Sequence, residues 1–157
     1  MAVVALIVGC SGPTAAGEPG SAIVAEQLQF TAKTVNGQDF SGQSLAGKPA
    51  VLWFWAPWCT TCQGEAPGVA KAARANPAVT FVGVAAQDQV PAMQNFVTRY
   101  SLGFTNLADL DGSVWRQFGV TIQPAFAFIG PDGSVDVVKR TLSEQDLAAR
   151  VSTLAAA

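Results

Sequence analysis

Residues 50–62 read Ala-Val-Leu-Trp-Phe-Trp-Ala-Pro-Trp-Cys-Thr-Thr-Cys. The first six are continuously apolar, which is typical of a central strand in a parallel sheet that is covered on both faces. Helical character follows Cys59, so this stretch predicts a buried strand, a short turn and the start of a helix. Pro67 lies inside the predicted helix and should kink it.

Two cysteines, Cys59 and Cys62, stand at the predicted junction of strand and helix. Cysteine reacts as the thiolate, and the N–H groups at a helix N-terminus stabilise that anion. Cys59 should therefore be the nucleophile, and Cys62, on the same side of the helix, should resolve the mixed disulfide. The alternative is a structural disulfide, but closing so short a loop constrains the unfolded chain little. Position and spacing favour a redox-active pair.

Strand and helix patterns alternate on both sides of this segment. Upstream, alternating apolar residues from Leu28 and the turn signal Asn36-Gly37 predict a β-hairpin. Downstream, the patterns predict strands at 79–85, 104–107, 125–129 and 135–138, helices at 90–100 and 113–118, and a last helix capped by Ser143 and Asp146. This alternation, with an antiparallel final pair, indicates an α/β fold.

Composition limits the functions to consider. The chain has 157 residues, of which 50% are hydrophobic and 13% charged, as expected for one globular domain. A net charge of −2 argues against nucleic-acid binding. Histidine is absent, which excludes Ser-His-Asp and Cys-His catalysis. Without histidine, the three cysteines do not complete a structural zinc site, so we expect no metal.

The N-terminus has the pattern of an export signal. Residues 2–9 are uniformly apolar, too few to span a bilayer but as long as the apolar part of a signal peptide, although no Lys or Arg precedes them. The segment from Ile7 to Cys10 is similar to a bacterial lipobox, in which the cysteine is lipidated; a buried strand with a free cysteine is the alternative. A stretch rich in Gly, Pro and Ser follows, as in a flexible tether. We therefore predict a signal and lipobox segment at 1–9, a tether at 10–25 and a folded domain at 26–157.

Residues 53–67 resemble the active-site segment of the thioredoxin superfamily, including a proline five residues after the second cysteine. Residues 121–125, Thr-Ile-Gln-Pro-Ala, resemble the loop of that family that carries a cis-proline. The resemblance covers 26–157, and the extra helix and strand between about 88 and 110 are similar to the insert of the TlpA/ResA/DsbE branch, with secreted DsbE/DsbF-type lipoproteins the most similar group. It implies a thioredoxin fold with an N-terminal β-hairpin and an inserted helix and strand, in three α/β/α layers.

The resemblance also implies roles for residues around the two cysteines. Pro124 would be cis, and Gln123 before it would offer backbone hydrogen bonds to a bound peptide. Trp58 would be exposed and contact substrate, whereas Trp53 and Trp55 would lie in the core. The Thr60-Thr61 dipeptide, which differs from the Gly-Pro of thioredoxin, would set the reduction potential.

One carboxylate is a candidate for proton transfer. Trp53 stands where thioredoxin has a buried acid, so Cys62 needs another proton donor and acceptor. Glu65, three residues after Cys62, resembles an acid of the ResA-type branch and is that candidate. The alternative is a first-turn helix carboxylate that favours the helix dipole.

The resemblance favours a protein thiol–disulfide oxidoreductase outside the cytoplasm, an oxidase that forms disulfides in exported proteins. A reductase of the cytochrome c maturation type and a redox-inert binding module are the alternatives. A peroxiredoxin is disfavoured because neither cysteine lies in a Pro-x-x-x-Thr-x-x-Cys context. The expected partners are exported cysteine-containing proteins and a membrane redox partner. We expect a monomer, held to the membrane by a lipid on Cys10 or secreted, with no cofactor beyond the Cys59–Cys62 disulfide.

Overall fold

A computed structural model of the protein describes residues 25–157, so the predicted signal segment and Cys10 lie outside the described residues. The domain begins with a short 3-10 turn, Glu26–Leu28, and a hairpin of β1 (Thr31–Lys33) and β2 (Asp39–Ser41). The alternation predicted from Leu28 was wrong at its start. Leu28 is buried by the 3-10 turn, in which its N–H donates to Ala25, and the strand begins only at Thr31. Ala25, the last residue of the predicted tether, is also buried.

Among the described residues, five strands form the main sheet, and their bounds match the predicted strands to within one residue. They are β3 (Ala50–Trp55), β4 (Thr80–Ala85), β5 (Thr105–Ala108), β6 (Ala125–Ile129) and β7 (Val135–Val138). Their order across the sheet is β5-β4-β3-β6-β7. Strands β3, β4 and β5 are parallel, β6 is antiparallel to β3, and β7 is antiparallel to β6. The predicted apolar segment is therefore the central strand.

Four helices in the described part of the chain cover the sheet. They are α1 (Thr60–Ala75), α2 (Val90–Arg99), α3 (Ser113–Gln117) and α4 (Glu144–Ala155). Helix α1 continues through Pro67. The Ser143 side chain caps α4 by accepting from the Asp146 N–H, as predicted. Within residues 25–157, no helix is both long and apolar enough to cross a membrane.

The core lies on both faces of β3, because its alternate side chains point in opposite directions. Val51, Trp53 and Trp55 pack in the cluster that includes side chains of α1, α2 and α4. Leu52 and Phe54 pack in the other cluster, with side chains of α3 and of the N-terminal segment. The domain is thus a three-layer α/β/α thioredoxin fold, and this prediction is confirmed.

Candidate active site

Cys59 and Cys62 lie where β3 ends and α1 begins, and they form a disulfide with Cα atoms 5.2 Å apart. Cys59 is the N-cap residue of α1, and its Sγ accepts a hydrogen bond from the Cys62 N–H at 3.1 Å. A tight turn places it there, since the Cys59 N–H donates to the Ala56 carbonyl at 3.2 Å. The Cys59 sulfur therefore lies at the N-terminus of α1, where a thiolate would be stabilised.

The two half-cystines differ in access. Cys59 is 5% exposed, whereas Cys62 is 0% exposed. An incoming thiolate therefore reaches the disulfide from the Cys59 side. Thr60 and Thr61, between them, are both exposed on the first turn of α1.

The tryptophans near the disulfide divide as predicted. Trp53 and Trp55 are fully buried and stack with ring centroids 5.8 Å apart. Trp58, next to Cys59, is 53% exposed. Its indole N–H donates to the backbone carbonyl of Gln87 at 3.0 Å. The side chain is thus held beside the disulfide while most of its ring surface stays open to solvent.

The loop before β6 lies beside the Cys59 turn. The Gln123–Pro124 peptide bond is cis, and Pro124 is buried. Because Ala125 pairs with Phe54 in the antiparallel register of β6 and β3, the residues before Ala125 lie at the end of the sheet that carries the disulfide. Gln123 is half-buried and Ile122 is 62% exposed, so backbone and apolar surface are both accessible here.

Glu65 lies deeper than its sequence position suggests. It is half-buried, in the second turn of α1, and the first turn of that helix contains no acidic residue. The interpretation of Glu65 as a first-turn carboxylate is therefore wrong. Its Oε2 accepts from the Trp53 indole at 3.2 Å, and its Oε1 accepts from the Leu142 N–H at 2.9 Å and from the Thr141 hydroxyl. Among the described residues, Glu65 shares no hydrogen bond with either sulfur.

A cavity of about 390 Å³ adjoins Glu65 between α1 and the start of α4. Thr61, Phe126 and Leu147 are among the residues that line it. Gly64 also lines it, and apart from its chain neighbours and the backbone of α1 no atom lies within 4 Å of the place where a Cβ would be, which keeps this side of α1 open. Cys62 and the cavity are therefore on neighbouring parts of α1.

Three residues that support this site were not predicted. Asn106 is buried, and its Oδ1 accepts from the Trp55 indole at 3.3 Å. A Cβ on Gly83 would lie 1.9 Å from that Oδ1, so only glycine leaves room for the contact. A glycine inside an apolar strand, such as Gly83, is a sequence signal that another group packs closely against the strand backbone. Nothing in the sequence around Gln87 indicates its contact with Trp58.

Within residues 25–157, no three Cys, Asp or Glu side chains lie close enough together to hold a metal ion. The redox group on which the geometry converges is the disulfide itself.

Comparisons with known proteins agree with this geometry. The AhpC/TSA family matches residues 24–138. The soluble secreted antigen MPT53 of Mycobacterium tuberculosis is 50% identical over 142 residues, which are 88% of this chain and 82% of that protein. The thiol–disulfide oxidoreductase ResA of Bacillus subtilis is 30% identical over 118 residues, 73% of this chain and 66% of that protein. The structure of MTB DsbF, in mixed oxidised and reduced forms, superposes with a TM-score of 0.82 at 64% identity and covers 83% of this chain and 98% of that chain.

Proposed function

This chain belongs to the AhpC/TSA family and is a thiol–disulfide oxidoreductase of the DsbE, DsbF and ResA type, and we propose that it acts outside the cytoplasm as an oxidase of exported proteins. The observation that carries the chemistry is the Cys59–Cys62 disulfide, with Cys59 at the N-terminus of α1 and the more accessible of the two. The export of this chain is supported by its similarity to a secreted antigen.

The reaction begins at the accessible sulfur. A substrate thiolate attacks Cys59 Sγ, the Cys59–Cys62 bond breaks, and Cys62 leaves as a thiolate that takes up a proton. A second substrate thiolate then attacks the substrate sulfur of the mixed disulfide, and Cys59 leaves as a thiolate. The substrate gains a disulfide and loses two electrons, which the cysteine pair holds until a membrane redox partner reoxidises it.

Different parts of the site support the two steps. The N–H groups of the first turn of α1 stabilise the Cys59 thiolate, which makes it a good leaving group. Cys62 is buried and leaves into an apolar environment, where its thiolate must be protonated. Glu65 is the proposed proton relay, either directly or through a water molecule. No cofactor other than the disulfide takes part in these steps.

The substrate is a cysteine-containing segment of an exported protein. The Trp58 ring offers it an apolar surface on one side of Cys59, and the backbone of Gln123 before Pro124 offers hydrogen bonds on the other. Such contacts accept many sequences because backbone and apolar surface carry little sequence information. The proposed monomer is tethered outside the membrane by a lipid on Cys10.

The reduction potential tests the direction of electron flow. The protein is equilibrated with glutathione buffers and the fraction of reduced cysteines is measured after acid quenching and alkylation. An oxidase should have a potential clearly above that of thioredoxin, about −270 mV, and toward the −120 mV of DsbA. A value near that of thioredoxin would instead support a reductase that uses the same site. The absence of any reducible Cys59–Cys62 pair would leave only a binding module.

A further inference from the structure

The loop between β4 and α2 contacts the active-site tryptophan through a backbone atom. The Gln87 carbonyl accepts from the Trp58 indole at 3.0 Å. Gln87 has a φ of 60°, in the left-handed region that residues with a Cβ rarely adopt. The Gln87 residue itself is exposed, so burial of its side chain does not account for this backbone conformation.

A comparison with Ser101 shows that the conformation of Gln87 is not a helix ending. Ser101, with a φ of 52°, directly follows the last turn of α2, and the Leu102 N–H donates back to the Val97 carbonyl at 3.0 Å. A left-handed residue is ordinary at such a helix C-terminus. Gln87 instead follows a strand. In this conformation, the Gln87 carbonyl accepts the hydrogen bond from the Trp58 indole.

Hydrogen bonds fix the backbone on both sides of Trp58, so the part of this turn that could still move is the Trp58 side chain. The Cys59 N–H is held by the Ala56 carbonyl at 3.2 Å, and the Gln63 side chain donates to the Pro57 carbonyl at 3.0 Å. An exposed tryptophan on this fixed backbone would still rotate about its side-chain torsions, and a bound substrate would have to immobilise it. The hydrogen bond to Gln87 removes that freedom before substrate arrives.

We propose that Gln87 is a positioning residue for substrate recognition: its left-handed backbone aims a carbonyl at the Trp58 indole and holds the ring in one orientation beside Cys59. The partner is a protein segment that carries an apolar residue next to its cysteine and lays it on the fixed ring. This inference rests on the proposed function. The conformation of Gln87 matters and its side chain does not, because the accepting atom belongs to the backbone.

Four variants separate conformation from side chain. Gln87→Gly keeps access to the left-handed region and should preserve the contact. Gln87→Val places a β-branched residue there and should move the carbonyl away. Trp58→Phe keeps an aromatic ring but removes the donor. Ser101→Val is the matched control, since it puts the same residue type into the other left-handed position, at the opposite end of the sheet.

The first measurement observes the hydrogen bond directly. In ¹⁵N NMR spectra, the indole resonance of Trp58 is the one missing from Trp58→Phe. Its exchange with solvent should be about two- to tenfold faster in Gln87→Val than in the natural protein, the factor that one net hydrogen bond represents. Gln87→Gly and Ser101→Val should keep the natural exchange rate and chemical shift.

The second measurement compares two reductants of the Cys59–Cys62 disulfide. A cysteine peptide with an apolar neighbour should react about two- to tenfold more slowly with Gln87→Val and Trp58→Phe, the factor that one net hydrogen bond represents. Dithiothreitol, which has no apolar neighbour, should react with Gln87→Val within about twofold of the natural rate. The double variant should be no slower than the slower single variant, because both changes remove the same contact.

Each outcome decides between the two proposals. The role of Gln87 would be overturned if Gln87→Val reacted with the peptide as fast as the natural protein does. It would also be overturned if Gln87→Gly or Ser101→Val slowed the peptide reaction as much as Gln87→Val does. These results leave the proposed function standing as long as dithiothreitol reduces the disulfide and Cys59→Ser blocks the exchange. Failure of the natural protein to react with either reductant would overturn the proposed function itself.

Discussion

The two ends of the main sheet follow different rules. At the end opposite the disulfide, the turn between β6 and β7 satisfies ordinary local preferences: Gly133 takes the positive φ of 86°, and the Asp132 side chain accepts from the Ser134 N–H at 3.0 Å. At the disulfide end, a glutamine takes a left-handed conformation and a cis peptide bond precedes β6. The three large apolar residues that are exposed within 25–157 all lie at this end; they are Trp58, Leu110 and Ile122.

The difference indicates which end contacts other proteins. Exposed apolar groups and an unusual backbone work against the stability and solubility of an isolated domain, and they concentrate where a partner would cover them. The turn between β6 and β7 at the opposite end has only to connect two strands. Its residues therefore suit their local structure, and substitutions there should leave disulfide exchange unchanged.

The largest effect should come from removing the accessible sulfur. Cys59→Ser should abolish peptide oxidation, because no sulfur remains that an incoming thiolate can reach. Cys62→Ser keeps the Cys59 thiol but not the resolving thiol, so mixed disulfides with substrate should accumulate and be visible by mass spectrometry. Exchange that persists in Cys59→Ser, or normal turnover in Cys62→Ser, would contradict the assigned roles.

The next effect tests how much the disulfide end depends on the core beneath it. Gly83→Ala should destabilise the protein by about 1–3 kcal/mol, because the new methyl group would overlap the Asn106 side chain that accepts from Trp55. Denaturant unfolding measures this loss. The matched control is Gly64→Ala in α1, which has open space at that position and should gain about 0.5–1 kcal/mol from helix propensity. Equal stability of the two variants would show that the Asn106 contact does not constrain this strand.

A substitution with a smaller expected effect separates the structural role of Glu65, as a hydrogen-bond acceptor, from its proposed role as a proton relay. Glu65→Gln keeps the size of the side chain but replaces one acceptor oxygen with an NH₂ donor, so one of the three donors loses its partner. We expect a loss of about 1–2 kcal/mol in unfolding free energy for that reason alone. If Glu65 also relays a proton to Cys62, the reduction of the disulfide should slow by about tenfold or more and lose part of its pH dependence.

A neighbouring substitution provides the control for Glu65→Gln. Thr141→Val removes one donor to the carboxylate but keeps the carboxylate itself. It should lower stability without changing the pH profile of the exchange. If both variants lose the same stability and both keep the natural rate, Glu65 has a structural role only.

Sequence patterns predicted the parts of this molecule that depend on neighbours along the chain. The apolar run of β3, the helix start at Cys59 and the capping of α4 are local, and all agree with the structure. The exposure of Trp58 was also predictable, since it follows a proline in a turn, whereas Trp53 and Trp55 belong to the buried strand.

Contacts between distant segments were not predictable in the same way. The hydrogen-bond donors to Glu65 at Thr141 and Leu142 lie 76 and 77 residues away along the chain. The spacing of apolar residues, which predicts helices and strands, does not predict a contact between such distant residues. Gln87 has no glycine, asparagine or helix end beside it to indicate a left-handed backbone. Its carbonyl accepts from Trp58, 29 residues earlier, which becomes its neighbour only after β3 and β4 pair.

The smallest effect compares two matched aspartates at the two ends of the sheet. Hydrogen bonds from the Ser134 hydroxyl and N–H hold the pKa of Asp132 below its ordinary value, and those from Ser113 do the same for Asp111, with a further contribution from the Arg116 charge. Because the folded pKa lies below the unfolded one, each carboxylate stabilises the protein fully above its unfolded pKa of about 3.9. That stabilisation is lost as the pH falls through the folded value.

Unfolding of Asp111→Asn and Asp132→Asn by urea between pH 3 and pH 7 measures this difference, since asparagine keeps an accepting oxygen but no titrating group. Each variant should differ most from the natural protein near neutral pH and least at pH 3. High salt should reduce the contribution of Asp111 more than that of Asp132, because only Asp111 has a cation among the causes of its lowered pKa. If salt reduces the contributions of Asp111 and Asp132 to stability equally, the charge of Arg116 adds nothing measurable to the stabilisation by Asp111. The disulfide end would then match the opposite end in this respect, and the difference between them would lie in its apolar surface and in the backbone of Gln87.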